Sequence, residues 1–188
     1  KITAGAKVSF TNTRNGINYD TSDPTLVQDD YFSYKEQIYA LYADYSREYS
    51  ERFSMQLGLR MEHTCTTGIS EAKDTEDKHD YTRLFPTVYL LYSPTDGHAL
   101  NFSFSNRISR PSQNMVNPFP FYQNKYTYAC GREDLKPSYT YNAELGYTLK
   151  NNFNVSAYYS YSDDVFFQVV DLDAETNVTS FLWENFMK

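Results

Sequence analysis

Residues 139–161, which read YTYNAELGYTLKNNFNVSAYYSY, decide the fold. Two runs of alternating apolar and polar residues are separated there only by Lys-Asn-Asn at positions 150–152. Alternation with a period of two is typical of a β-strand that presents one apolar face. A short connection rich in asparagine is typical of a hairpin. The stretch therefore predicts two neighbouring antiparallel strands.

The same alternation recurs along the chain. Residues 2–10, 53–63 and 100–108 alternate cleanly, whereas residues 36–45 and 84–92 carry tyrosine on both faces. No segment shows convincing helical spacing. The sequence therefore predicts an all-β fold in which seven long strands form an antiparallel up-and-down meander.

The connections between these strands alternate strictly in length. The short connections are residues 46–52, 93–99 and 150–152; the long polar ones are residues 11–31, 64–81 and 109–138, and a fourth begins at Ser162. Barrels of the outer membrane have short turns on one side and longer loops on the other. The strand lengths are close to the roughly 9 to 11 residues that a tilted strand needs to cross a bilayer.

Composition favours the same interpretation. Aromatic residues make up 18% of the 188 residues, with 19 Tyr and 13 Phe. Tyrosine joins an apolar ring to a polar tip, so it suits the boundary between hydrocarbon and water. We interpret residues 1–188 as one partial transmembrane β-barrel domain of about seven to nine strands. The alternative is a soluble antiparallel sandwich, whose strands alternate for the same geometric reason.

Several other classes of protein are disfavoured. The net charge of -7 argues against a nucleic-acid partner, and no apolar run approaches the roughly 20 residues of a membrane-spanning helix. The first residues lack the pattern of a signal peptide and the last do not end on an aromatic strand, so we expect a fragment truncated at both ends. Its open sheet edges predict self-association of the isolated fragment.

A succession of short motifs then resembles one family. The motifs are LFPT at 84–87, NRISRP at 106–111, NPF at 117–119, GREDLKP at 131–137 and NAELGY at 142–147. In this order they resemble the outer-membrane β-barrel domain of TonB-dependent receptors. The chain departs from the common family pattern at Arg132, Glu133 and Ser138, where Asn, Pro and Glu are usual.

The resemblance implies a location and partners. It implies the outer membrane of a Gram-negative bacterium, contact with outer-membrane lipid, and import of a nutrient such as an iron chelate or glycan. A plug domain and the TonB complex are implied partners, although no segment of this chain resembles a plug domain. The alternative is a structural or surface-binding barrel without energised transport. A plug domain encoded upstream would discriminate between the two.

Candidate sites are few. The sequence contains neither a catalytic arrangement nor a cofactor motif, so we expect that the protein is not an enzyme. A lipid-modifying barrel enzyme is disfavoured because the serines and histidines do not cluster. We expect no metal site, because His63, His79 and His98 do not have the spacing of metal ligands. The acidic run at 71–80 is interpreted as a solvated charged loop. Four charged residues are expected to face the lumen, paired across strands or against a plug: Arg60, Glu62, Arg107 and Glu144.

The loop at 111–128 carries the candidate ligand-binding residues. These are Phe119, Phe121, Tyr122 and Tyr126. Exposed aromatic rings can form an apolar or sugar-stacking platform, and they can equally form a small core of the loop itself. The cysteines Cys65 and Cys130 are predicted in two loops on the same side. A disulfide and two free thiols are both possible there, and free thiols are favoured.

Overall fold

The computed structural model describes residues 1–17, 30–70, 74–150 and 152–186. Within these ranges no helix has the length and apolar character needed to cross a membrane. The elements in chain order are β1 (Ile2–Ile17), β2 (Asp30–Ser50), β3 (Phe53–Ser70), β4 (Thr75–Tyr92), β5 (His98–Ser109), α1 (Gln113–Val116), β6 (Phe121–Asn124), β7 (Thr127–Cys130), β8 (Ser138–Leu149), β9 (Phe153–Asp163), β10 (Val165–Asp173) and β11 (Val178–Phe186).

The main sheet has seven strands in the order β1-β2-β3-β4-β5-β8-β9. Every neighbouring pair in it is antiparallel. All seven predicted segments lie in this sheet and follow the predicted order, so the all-β meander is confirmed. The sheet is open, with β1 at one edge and β9 at the other.

The pairing register gathers the apolar side chains on one face. Leu57 of β3 lies opposite Tyr45 of β2 and Val88 of β4. Farther across the sheet, Phe102 of β5 lies opposite Leu145 of β8. Large apolar residues remain exposed on this face, with Leu145 at 53%. An apolar face of this extent, left uncovered by protein, is the face that a barrel presents to lipid.

Aromatic rings mark both borders of the apolar face. Near the short turns, Phe53 contacts Tyr92 with ring centroids 6.4 Å apart. At the other border, Tyr39 lies between Phe10 at 6.0 Å and His63 at 6.4 Å. Phe53 and His63 are about ten residues apart on β3, or roughly 33 Å at about 3.3 Å per residue. A tilt of about 40° reduces this to about 25 Å, the usual height of the apolar band of a membrane barrel.

One predicted long loop is largely strand, and strand also extends into a second at both of its ends. Residues 64–81 were predicted as a loop, but β3 continues to Ser70 and β4 begins at Thr75, with paired residues from Thr64↔Tyr81 to Ser70↔Thr75. Likewise β1 extends to Ile17 and β2 begins at Asp30. Backbone hydrogen bonds continue beyond the apolar band, where neither face needs apolar side chains. The missing alternation therefore marked the end of the bilayer and not the end of the strands.

The charged residues near positions 71–80 consequently lie mainly on a strand. Within β4, Lys78 pairs with Glu76 at 2.9 Å and His79 with Asp77 at 3.0 Å. For the part in β4 the prediction of a loop is therefore wrong, although most of these residues are exposed as a solvated segment would be, and Glu71 lies outside the described residues.

A second sheet of four strands was not predicted. Its order is β10-β11-β7-β6, and it combines the hairpin β6–β7 from the predicted loop 109–138 with the hairpin β10–β11 near the end of the chain. The pair β11–β7 is parallel. A single residue, Asp164 at φ 51°, separates β9 from β10. The second sheet thus continues from the main sheet at the end that carries the long connections.

Pro86 limits the pairing of β4 with β5. The described pairs of these strands run from Tyr92↔Leu100 to Thr87↔Ser105 and stop before Pro86. Proline has no backbone N–H to donate to the ladder. Near this point the Nδ2 amide of Asn106 donates to the Leu84 carbonyl at 3.5 Å. The end of β5 therefore separates from β4. The residues that follow β5 lie against the inner face of the sheet, which is the side opposite the apolar face.

The assignment of the faces predicts an asymmetric response to a charge. In the intact protein folded into bilayers, Leu57→Arg should lower the free energy of unfolding by roughly 2 to 4 kcal/mol, because it places a cation in hydrocarbon. The neighbouring change Gln56→Arg, on the opposite face, should lower it much less. Equal losses for the two variants in folding titrations would contradict the assignment of faces.

Candidate ligand-binding loop and luminal cluster

The segment between β5 and β8 folds back against the inner face of the sheet. Val116 of α1 and Leu135 pack on Phe32 of β2, and all three side chains are buried. Partly buried residues surround this core: Tyr34, Met115, Phe166 and Trp183. The segment is therefore fastened to the long strands by an apolar core of its own.

A backbone clamp closes the base of this segment. The Gly131 amide donates to the Asn117 carbonyl at 2.8 Å, and the Arg132 amide donates to the Met115 carbonyl at 2.8 Å. A side chain at position 131 would collide with both of these carbonyl groups, so the close approach requires glycine. The motif at 131–137 thus contributes a structural glycine at the point where the loop closes.

Asn185 of β11 ties the loop to the second sheet. Its side chain accepts the Lys136 amide at 2.9 Å and donates to the Lys136 carbonyl at 3.0 Å. The same Nδ2 group donates to the Asp164 carbonyl at 2.8 Å. One amide side chain therefore joins β11, the loop and the residue that separates β9 from β10.

A cluster of charges lies on the inner face below this loop. We define the luminal cluster as Glu36, Arg60, Glu62, Thr64 and Arg110. Glu62 is only 4% exposed; it pairs with Arg60 on the same strand and with Arg110 Nη2 at 2.5 Å. Arg110 Nη2 also donates to Thr64 Oγ1 at 3.1 Å, and Arg110 Nε lies 3.8 Å from Glu36.

Arg110 stays charged in this setting. Burial is the largest single effect and lowers the pKa of Arg110, but the hydrogen bonds and charges of Glu62 and Tyr81 together outweigh it, so the pKa is raised overall. Burial also raises the pKa of the nearby Tyr34, which keeps that phenol neutral. The cluster therefore has one buried carboxylate held between two guanidinium groups, an arrangement in which each partner depends on the others.

The four charges named from the sequence lie in different surroundings. Arg60 and Glu62 belong to the luminal cluster. Arg107 and Glu144 lie on the same face by register, but within the described part of the chain neither forms an ion pair. Arg110 was missed, because it follows the end of a predicted strand and was assigned to the loop. Its position between Ser109 and Pro111 was the available signal.

The candidate aromatic residues of the loop divide into two groups. Phe121 and Tyr126 are exposed, at 56% and 61%. Tyr122 packs against Tyr128 across the β6–β7 hairpin, with ring centroids 5.5 Å apart, and Phe119 is half-buried. Tyr122 therefore packs within the hairpin, as the alternative of a small loop core expects, whereas Phe121 and Tyr126 face outward.

Two cavities flank the loop. An outer cavity of about 430 Å³ is lined by Asn114, Asn117, Phe119, Phe121 and Trp183, among others. A luminal cavity of about 400 Å³ lies between the loop and the long strands and is lined by Tyr34, Glu36, Tyr81, Arg110 and Tyr139, among others. Both volumes lie in the range of small-molecule sites.

Cys65 and Cys130 are both thiols and do not form a disulfide with each other. This agrees with the favoured alternative. The expected position of Cys65 was wrong, because it lies inside β3 and not at the entrance to a loop. Cys130 ends β7, and its thiol donates to the Pro118 carbonyl at 3.1 Å.

Comparison with known proteins identifies the family. The whole chain, residues 1–188, matches the outer membrane protein β-barrel family. The chain belongs to this family. It is therefore a segment of a barrel of the Gram-negative outer membrane, and the soluble sandwich is excluded. No curated protein matches the sequence.

Solved receptors share the fold. One is a double mutant of the Serratia marcescens hemophore receptor HasR in complex with its hemophore HasA and heme. Its TM-score with this chain is 0.66 and the sequence identity is 11%, over 100% of this chain and 38% of that chain. Another is the siderophore receptor PirA of Pseudomonas aeruginosa, with a TM-score of 0.51 and 12% identity over 98% of this chain and 45% of that chain. The chain thus spans less than half of each receptor, and the resemblance to receptor barrels is confirmed for the fold.

The luminal cluster predicts different effects for two nearby arginines. Arg110→Ala removes one partner of the buried Glu62 carboxylate and should lower the free energy of unfolding by on the order of 3 kcal/mol. Arg107→Ala, the matched control, is exposed and should change it by less than about 0.5 kcal/mol. Urea titration of the intact barrel in detergent measures both. Equal effects would show that Arg110 does not hold Glu62.

Proposed function

We propose that this chain supplies barrel wall and a ligand-binding loop to an outer-membrane receptor that imports a nutrient such as an iron chelate or glycan. One observation carries the proposal: the loop that the barrel holds in place lines the outer cavity with Phe121 and also exposes the rings of Phe121 and Tyr126. The loop belongs to the end of the sheet with the long connections, opposite the short turns. A rigid scaffold that presents a variable loop is a common arrangement for binding.

The chemistry of the outer cavity suits a flat or cyclic ligand with polar edges. Phe119, Phe121 and Trp183 provide ring surfaces, while Asn114 and Asn117 provide amide groups. Aromatic faces stack on sugar rings and on planar chelates, and a few polar groups then orient the ligand. The similarity to a receptor solved with heme and to a siderophore receptor supports this class of ligand.

Energised import is the part of the proposal that rests on the resemblance to TonB-dependent receptors. A plug domain inside the barrel would meet the inner face of the sheet, where Arg107 and Glu144 lie outside the luminal cluster. These two charges are our candidates for contact with a plug. A barrel that binds ligand at the surface without a plug remains the second hypothesis.

Truncation of the exposed rings tests the binding loop. In the full-length protein, Phe121→Ala with Tyr126→Ala should weaken ligand affinity roughly tenfold, because each stacked ring contributes about 0.5 to 1.5 kcal/mol. Assembly should be unaffected, since both side chains are exposed. Ligand-dependent growth measures the first effect, and heat-modifiable migration of the barrel on a gel measures the second.

The matched control removes two rings of similar exposure at the opposite end of the strands. Tyr49→Ala with Tyr92→Ala should leave ligand-dependent growth unchanged. Unchanged growth in the Phe121 and Tyr126 variant would show that the loop does not contact ligand. Uptake that persists when TonB is deleted would favour the surface-binding barrel over energised import.

A further inference from the structure

Three side chains with metal-binding atoms meet on the outer face of the sheet, just beyond the apolar band. His63 and Cys65 are alternate residues of β3, and Asp80 of β4 lies directly opposite Cys65. The next row toward the membrane centre is apolar, with Met61 opposite Leu84. The three polar residues therefore lie where the barrel surface passes from hydrocarbon into the headgroup zone.

The distances among their ligand atoms are the informative feature. Cys65 Sγ lies 3.3 Å from His63 Nε2 and 3.5 Å from Asp80 Oδ2. His63 Nε2 lies 3.6 Å from Asp80 Oδ2. Tetrahedral zinc has bonds of about 2.3 Å to sulfur, about 2.0 Å to nitrogen and about 2.1 Å to oxygen, which place such ligand atoms roughly 3.4 to 3.6 Å apart. The three atoms thus already have nearly the spacing that one ion requires.

A neighbouring residue prepares the histidine to bind. His63 Nδ1 lies 2.9 Å from Thr82 Oγ1, the residue opposite it on β4. With its Nδ1–H donated to Thr82, the neutral ring has its free electron pair on Nε2, which points toward Cys65. Metal-binding histidines are commonly oriented by such a hydrogen bond on the other ring nitrogen. The ring of Tyr39 lies beside His63, with ring centroids 6.4 Å apart.

We propose that His63, Cys65 and Asp80 form a binding site for a zinc-class divalent cation, with water as the fourth ligand. A thiolate and an imidazole favour zinc or a similar transition metal over calcium or magnesium, which prefer oxygen ligands. On binding, the Cys65 thiol proton passes to solvent and a metal–sulfur bond forms, without any change of oxidation state. Bound metal would join β3 and β4 at the membrane border. The proposal does not depend on the ligand of the outer loop.

The sequence alone gave no indication of this site. Cys65 and Asp80 are 15 positions apart and were both assigned to a predicted loop. Only the continuation of β3 and β4 beyond the apolar band places them in register. A cluster of hydrogen bonds without metal is the alternative explanation, and it predicts no thiolate–metal bond.

Cobalt titration distinguishes these explanations. The full-length protein in detergent, with its thiols reduced, is titrated with Co²⁺ as a spectroscopic substitute for Zn²⁺. One equivalent should produce the visible bands of a tetrahedral site and a near-ultraviolet thiolate-to-cobalt band, and Zn²⁺ should abolish both. Cys65→Ser should abolish the thiolate band and weaken affinity at least about tenfold. Thr82→Val, which keeps all three ligands, should retain the band but weaken affinity about tenfold.

Matched controls separate this site from other metal-binding groups. Cys130→Ser removes the other thiol and should leave the titration unchanged, as should His79→Ala, whose ring pairs with Asp77. Asp80→Asn changes a residue whose side chain is 67% exposed, so folding is preserved while affinity should fall. Absence of a thiolate band in the unmodified protein, or its persistence in Cys65→Ser, would overturn the proposal.

Discussion

The whole structure depends on one constraint: each backbone amide inside a bilayer needs a hydrogen-bond partner from the protein, because hydrocarbon offers none. Antiparallel pairing from β1 through β9 meets this need across the main sheet. The described β4–β5 pairs stop at Thr87↔Ser105, next to Pro86, and beyond them the side-chain amide of Asn106 donates to the Leu84 carbonyl. Within the described residues β1 and β9 are the edges of this sheet, and the same constraint requires partners for their outer backbone groups inside a bilayer.

Continuous pairing also determines which face each side chain occupies, because residues paired across neighbouring strands point to the same side of the sheet. Between the two aromatic borders the face toward lipid is mainly apolar, and the charged residues of the luminal cluster lie on the other face. Glu62 illustrates the consequence. A carboxylate so deeply buried is stable only with cations beside it, and Arg60 and Arg110 supply them from β3 and from the segment after β5. Because the outer face of the strands meets lipid, Glu62 lies on the inner face. The segment after β5 must therefore return to the inner face to bring Arg110 to Glu62.

Sequence reasoning predicted the part of the fold that the bilayer dictates. Residues 53–63 alternate because one face meets hydrocarbon, and the alternation located the strand. Residues 64–70 lie in the same strand but outside hydrocarbon, so their pattern is polar and they were assigned to a loop. The second sheet was not predicted because β6 and β7 have only four residues each, too few to establish a period, and the nine residues of β10, VFFQVVDLD, do not alternate.

The sequence indicated which loop carries the candidate residues, but it did not predict how their side chains are arranged. The aromatic content of the loop identified Phe119 and Phe121 as candidates, yet no pattern could show that Tyr122 instead packs on Tyr128. Arg110 and the group around Cys65 depend on contacts between residues far apart in sequence. Such contacts follow from strand register, which the apolar pattern defines only within the membrane.

The backbone clamp at Gly131 has a consequence for how this surface can change over generations. The clamp and the apolar core under the loop fix the backbone at its base. The residues that form them are not residues of the hairpin tip. Substitutions at exposed positions such as Phe121 and Tyr126 therefore leave the frame intact. Side-chain changes at the tip can therefore accumulate without loss of the frame, whereas a side chain at position 131 would collide with the Asn117 and Met115 carbonyl groups.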